Sequence, residues 1–197
     1  MRSLLIAVLV AACSDSNPAH PDAAPDSAGN PPAVVNGNLI GAPFTPRDAI
    51  WTNASANGFD FNAMSTVLII TDFPDACAKQ ASNTGVPNGR LLIFVLGTTD
   101  ATGASSPITA PGDYTVFMGT TPVSSRLVEA DFEVDGANCL KSQMEFGASG
   151  SVTVTSATDP QTATFDVTFE GGDHITGSYR ATSCPALNPN RTPTGGC

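Results

Sequence analysis

Apolar and polar positions alternate in short runs along most of this chain, and Gly, Pro, Asn and Asp separate the runs. A period of two is the signature of half-buried strands. It predicts strands near 34–40, 58–62, 65–72, 90–97, 113–118, 126–134, 142–146, 149–156, 162–170 and 174–182. Only 74–82 has helical character, with Pro74 suited to a first turn and Ala76, Ala78, Lys79 and Gln80 following. The expected fold is all-β: an antiparallel β-sandwich of about ten short strands with a C-terminal meander, the alternative being a closed up-and-down barrel.

The meander can be read down to register. Ala163, Phe165, Val167 and Phe169 share one face of their strand, and Ile175, Gly177, Tyr179 and Ala181 share one face of the next. Opposed residues in a hairpin lie on the same side, so a three-residue loop at Gly171-Gly172-Asp173 is expected, pairing Phe169 with Ile175, Phe165 with Tyr179 and Ala163 with Ala181. By the same rule Val152 and Val154 face inward opposite Phe165 and Ala163, across a turn at 157–160.

The N-terminus carries a different pattern. Met1-Arg2-Ser3 is a basic start, Leu4 to Val10 is an unbroken apolar run, and Ala11-Ala12 leads into Cys13. That order describes a secretory signal too short to be a membrane-spanning helix. Val10-Ala11-Ala12-Cys13 resembles the lipobox of bacterial lipoproteins. The resemblance implies a signal peptide over 1–12, cleavage before Cys13, and acylation of Cys13 as a lipid anchor in the membrane. Ser14 after the cysteine resembles the pattern sorted to the outer membrane. From Cys13 to Ala33 the chain is rich in Pro and Asp and too polar to offset its ordering entropy, so it reads as a disordered tether. A single all-β domain is expected over 34–197.

Composition narrows the partners. The chain has 8 Lys+Arg against 18 Asp+Glu, a net charge of −10, which excludes nucleic acid as a partner because phosphate binding needs a basic face. An even set of cysteines beyond Cys13 (Cys77, Cys139, Cys184 and Cys197) points to two disulfides in an oxidising compartment. Of three possible connectivities, Cys184–Cys197 is preferred because it staples the Pro/Asn-rich tail, which leaves Cys77–Cys139. No Cys-x-x-Cys occurs and the domain holds one histidine, so neither a metal nor another cofactor is expected.

Candidate chemistry is sparse. Glu129, Asp131, Glu133 and Asp135 alternate with Val128, Ala130, Phe132 and Val134, which places four carboxylates on one strand face. Alternate side chains on a strand lie about 7 Å apart, too far for several to share one Ca²⁺, so a solvated outer face that discourages edge pairing is expected. His174, beside Asp173, is the one domain histidine; Ser178 and Ser183 lie in strand and tail contexts, so a hydrolytic triad is poorly supported. A paired-carboxylate glycosidase would want aromatic platforms, and the domain offers Trp51, Tyr114 and Tyr179.

The segment from Gly150 through Phe165-Asp166-Val167-Thr168-Phe169 to Cys184, together with Gly37, Gly41, Phe44, Asp48 and Ala49, resembles uncharacterised β-rich lipoproteins of myxobacterial type. The resemblance implies a fold and an envelope location, with no catalytic residues. The expectation is a membrane-tethered, non-catalytic β domain for binding or envelope structure. A small-ligand carrier with a barrel cavity is the alternative, and a hydrolase a weaker one.

Overall fold

The computed structural model describes residues 31–55, 64–119 and 122–189. Cys13, the signal peptide, the tether up to residue 30, the strand expected at 58–62, and Cys197 lie outside the described residues. The elements are β1 (Ala33–Leu39), β2 (Ala42–Pro43), β3 (Asp48–Ser55), β4 (Met64–Thr71), α1 (Ala76–Ser82), β5 (Arg90–Thr99), β6 (Ser105–Ser106), β7 (Gly112–Val116), β8 (Arg126–Asp135), β9 (Lys141–Ser156), β10 (Gln161–Phe169) and β11 (His174–Ser183).

The fold is a β-sandwich. One layer runs β3-β4-β5-β8 and the other holds β7, β9, β10, β11 and β1. Strand β9 turns the corner between them: its first residues pair with β8, and from Gly147 onward it pairs with β10. At the opposite corner β11 meets β3 in a short parallel ladder, Thr182 beside Ile50 and Ser183 beside Trp51. A second parallel ladder joins β7 to β8; the remaining pairings are antiparallel. The inside is filled rather than hollow. Phe94 of β5 packs on Phe165 of β10 at 5.3 Å and on Tyr179 of β11 at 6.4 Å between ring centroids. Phe132 meets Phe44 edge-on at 5.6 Å, and the Arg90 guanidinium lies over both of those rings while donating to the carbonyls of Leu39, Ala42 and Pro43. Arg90 thereby closes that end of the core with a cation held by three backbone carbonyls and two ring faces.

Several elements depart from expectation. Strand β3 was not anticipated: Asp48-Ala49-Ile50-Trp51-Thr52-Asn53-Ala54-Ser55 holds one β-branched aliphatic, and its eight-residue pairing with β4 supplies what local pattern does not. The two strands expected at 142–146 and 149–156 are one continuous β9. Pro74 lies before the helix instead of in its first turn, and Asp48 caps α1 from 28 residues away, its Oδ2 accepting the Ala76 N–H at 2.8 Å. Ala33, expected at the end of the tether, opens β1 and is buried, and the Arg180 N–H donates to the Pro32 carbonyl.

The β10–β11 loop has the expected length, but it comprises Glu170-Gly171-Gly172, one residue earlier. Phe169 N–H donates to Asp173 O, and Val167, Phe165, Ala163 and Gln161 oppose Ile175, Gly177, Tyr179 and Ala181. A slip of two keeps every face, so hydrophobic patterning alone does not distinguish the registers. Packing does. A Cβ on Gly177 would lie 2.5 Å from the Phe165 ring and 2.0 Å from the Val34 carbonyl oxygen, so the glycine makes room for the phenylalanine opposite it. The β9–β10 register is as expected, Val152 opposite Phe165 and Val154 opposite Ala163.

The disulfide pairing differs outright. Cys77 of α1 bonds Cys184 just past β11, which excludes both Cys184–Cys197 and Cys77–Cys139. The helix lies over the outer face of β3-β4-β5, where Ile50, Val67, Ile69, Ile93 and Val95 form a second apolar cluster with Ala76, Cys184 and Leu187. Sequence separation, 107 residues here, carries no information about that meeting.

Gly177→Ala is expected to lower stability by about 3 kcal/mol, since neither the backbone carbonyl nor the packed ring can yield cheaply. Urea unfolding measures it, with exposed Glu170→Ala in the same hairpin as a control expected within about 0.5 kcal/mol. A wild-type midpoint for Gly177→Ala would refute the packing account of the register.

Candidate binding groove

Strand β8 carries its acids as the alternation requires, but their surroundings are not those of a solvated face. Val128, Ala130 and Phe132 point into the sandwich core, and Glu129, Asp131, Glu133 and Asp135 point to the outer side. Asp131 is 1% exposed and Glu129 8%, whereas Glu133 and Asp135 are half-buried. Nor is β8 an edge, since it lies between β5 and β9. The expectation of a solvated, edge-protecting face is corrected on both counts. The alternation identified which side the acids take; what covers that side comes from distant parts of the chain.

The cover forms a groove of about 600 Å³. Its floor is the acidic row continued by Leu91, Ile93, Ile69 and Ile50. One wall is α1 with Lys79 and Gln80; the other is the β8–β9 turn and the start of β9, with Cys139, Leu140, Lys141, Met144 and Phe146. Asn188 and Pro189 border it as well. Lys79 and Lys141, the two lysines of the entire chain, both line this groove. Lys141 forms an ion pair with Glu133. Low lysine content is visible in the sequence, but the convergence of both on one face is not.

Asp135 responds to this setting. Burial first, and the Glu133 charge second, push its carboxyl from 3.8 up to about 6, with Lys141 pulling the other way. A carboxyl that holds its proton near neutrality is a property of a general acid. The neighbouring carboxylate, Glu133, is engaged by Lys141. Among the described residues no three His, Cys, Asp or Glu side chains are grouped to hold a metal ion. The acids are strung along a strand at about 7 Å intervals rather than gathered round a point.

The other sequence candidates stay apart. His174 is exposed and its Nε2 lies 2.8 Å from Asp166 Oδ1, while Asp173 instead accepts a hydrogen bond from the Gly41 N–H. Ser178 and Ser183 are not joined to that pair. Tyr114 and Tyr179 are core residues, Tyr179 donating to Gln161 Oε1, and Trp51 packs against the core with its indole N–H buried and without a hydrogen-bond partner. None forms a sugar platform. No protein-family model, no curated protein and no solved structure matches the chain.

The raised Asp135 value fixes a pH trend. Between about pH 4 and 6 the folded state keeps a proton that the unfolded chain has released, so this group's contribution is most favourable in acid and is lost as pH rises through 6. Asp135→Asn is therefore expected to leave stability nearly unchanged at pH 3.5 and to raise the melting midpoint by about 1–4 °C at pH 7. Thermal melts of both proteins across that range test it; parallel curves would refute it.

Proposed function

We propose that this chain is a membrane-tethered extracytoplasmic lipoprotein, anchored through Cys13 and sorted to the outer membrane, whose folded part is a non-catalytic β domain for binding or envelope structure. The observation that favours a surface-binding domain over a barrel-type carrier is the filled interior: Phe94, Phe132, Phe165, Phe169, Tyr114 and Tyr179 occupy the space that such a carrier would need for its ligand. Binding then falls to the outer surface, where the acidic groove offers charge and apolar walls without an assembled nucleophile and base. The tethering rests on the signal sequence and the Val10-Ala11-Ala12-Cys13 ending. A disulfide between Cys77 and Cys184 accords with an oxidising compartment.

Cys13→Ser is expected to abolish labelling by a fatty-acid probe and to move the protein from the membrane fraction to the soluble one, or to leave it unprocessed at its full mass. Fractionation and intact mass spectrometry read all of these. Continued membrane association with unchanged mass would overturn the anchor assignment.

A further inference from the structure

We propose that residues 73–89, which carry α1, form a redox-held strap: the Cys77–Cys184 bond keeps α1 down on the outer face of β3-β4-β5, and a dithiol reductant releases it while the sandwich stays folded. The proposal depends neither on lipidation of Cys13 nor on what the groove binds.

Three observations converge. First, the segment is closed at its neck. It leaves β4 and returns on β5, and these strands pair with each other directly from Thr66–Leu96 to Thr71–Leu91. At the neck the Asp72 N–H donates to the Arg90 carbonyl, and Asp72 Oδ1 accepts the Arg90 N–H. The ladder does not pass through α1, so the helix can swing out without unpairing a strand. Second, α1 is weakly seated by itself. Of its seven residues Ala76 alone is buried, and Asp75 at its start gives it no side-chain cap. Asp48 Oδ2 accepts the Ala76 N–H, and Phe73 beside the neck packs half-buried on the outer cluster. A helix of this length does not sustain itself in water. Third, the two ends of the bond differ. Cys184 is fully buried, its N–H donates to the Trp51 carbonyl at 2.8 Å, and its carbonyl accepts the N–H of buried Leu187. Cys77 is half-buried and belongs to the helix. Cys184 is the fixed end and Cys77 the movable one.

The release is a thiol–disulfide exchange that balances with a dithiol as the reductant. One thiolate of the dithiol attacks Cys77 Sγ, the Cys77–Cys184 bond breaks, and Cys184 leaves as a thiolate that takes up a proton. The second thiol then attacks the reductant's own sulfur in the mixed disulfide and expels Cys77 as a thiol. Two electrons pass to the protein, and the reductant ends as a disulfide. Without the bond α1 lifts, and Ile50, Ile69 and Ile93, which cluster with Ala76, meet solvent. Strands β4 and β5 stay in place because Leu68, Ile70, Leu92 and Phe94 remain packed in the inner core.

Cys139 is disulfide-bonded as well, so a paired substitution singles out the strap. In the full chain carrying Cys77→Ser and Cys184→Ser, native-state trypsin cleavage after Lys79, within α1, should speed up by about tenfold or more. Hydrogen exchange should show the α1 amides losing protection while those of β4, β5, β10 and β11 keep theirs. Unchanged cleavage after Lys79, or loss of α1 and ladder protection together, would overturn the proposal. Should the double variant not fold, the oxidised wild-type protein is treated with dithiothreitol under native conditions and read by the same two measurements, with the same outcomes deciding. Cys139→Ser, which retains Cys77–Cys184, should leave Lys79 as resistant as in the wild type; faster cleavage there would equally overturn the assignment of the strap to this bond.

Discussion

Strands β4 and β5 are buried on both faces, and the rest of the molecule is arranged to cover them. Leu68, Ile70, Leu92, Phe94 and Leu96 face the opposing layer, and Val67, Ile69, Ile93 and Val95 face away from it. A two-faced strand needs two covers, or a contiguous apolar patch meets water. The inner cover is the β9-β10-β11-β1 layer, bound through its own ladders. The outer cover is α1 with residues 184–187, and a seven-residue helix has no stability of its own. That is why the Asp48 cap and the Cys77–Cys184 bond fall where they do: both fasten the small outer cover to the sheet.

At β8 the apolar outer face gives way to acids, and the same cover now lies over charge. The cost of burying those carboxylates is met by different means along the row. Glu133 has Lys141 against it. Asp135, beside Glu133, retains its proton up to about pH 6. Asp131 and Glu129, deepest of the four, cannot be left as bare charges in a medium of low polarity. In a chain with 8 basic residues against 18 acidic ones, placing both lysines on this one groove is a concentrated use of scarce cations.

Much of the fold was legible because strands with one wet face print their alternation in the sequence, as β10 and β11 do through Phe165, Val167, Ile175 and Tyr179. Strand β3 was not, because its ladder with β4 outweighs the weak propensity of Thr52-Asn53-Ala54-Ser55. The hairpin register was legible only to within a slip of two, since faces repeat at that interval and the deciding contact, Phe165 over Gly177, is one of shape. The cysteine pairing and the burial of Asp131 failed for a common reason. Both depend on which distant segment lies over the outer face, and neither spacing nor alternation encodes that.

The geometry of the acidic row also bears on what the groove can hold. Carboxylates on alternate residues of a strand repeat at about 7 Å, the same repeat as alternate side chains of any extended chain laid beside it. A compact ion would engage one or two of them and leave the others unpaid for, whereas an extended segment can bring a cation to the buried end and backbone donors to the rest. The apolar floor beyond the acids, Leu91, Ile93, Ile69 and Ile50, asks for the same kind of occupant, one with an uncharged portion next to its charge.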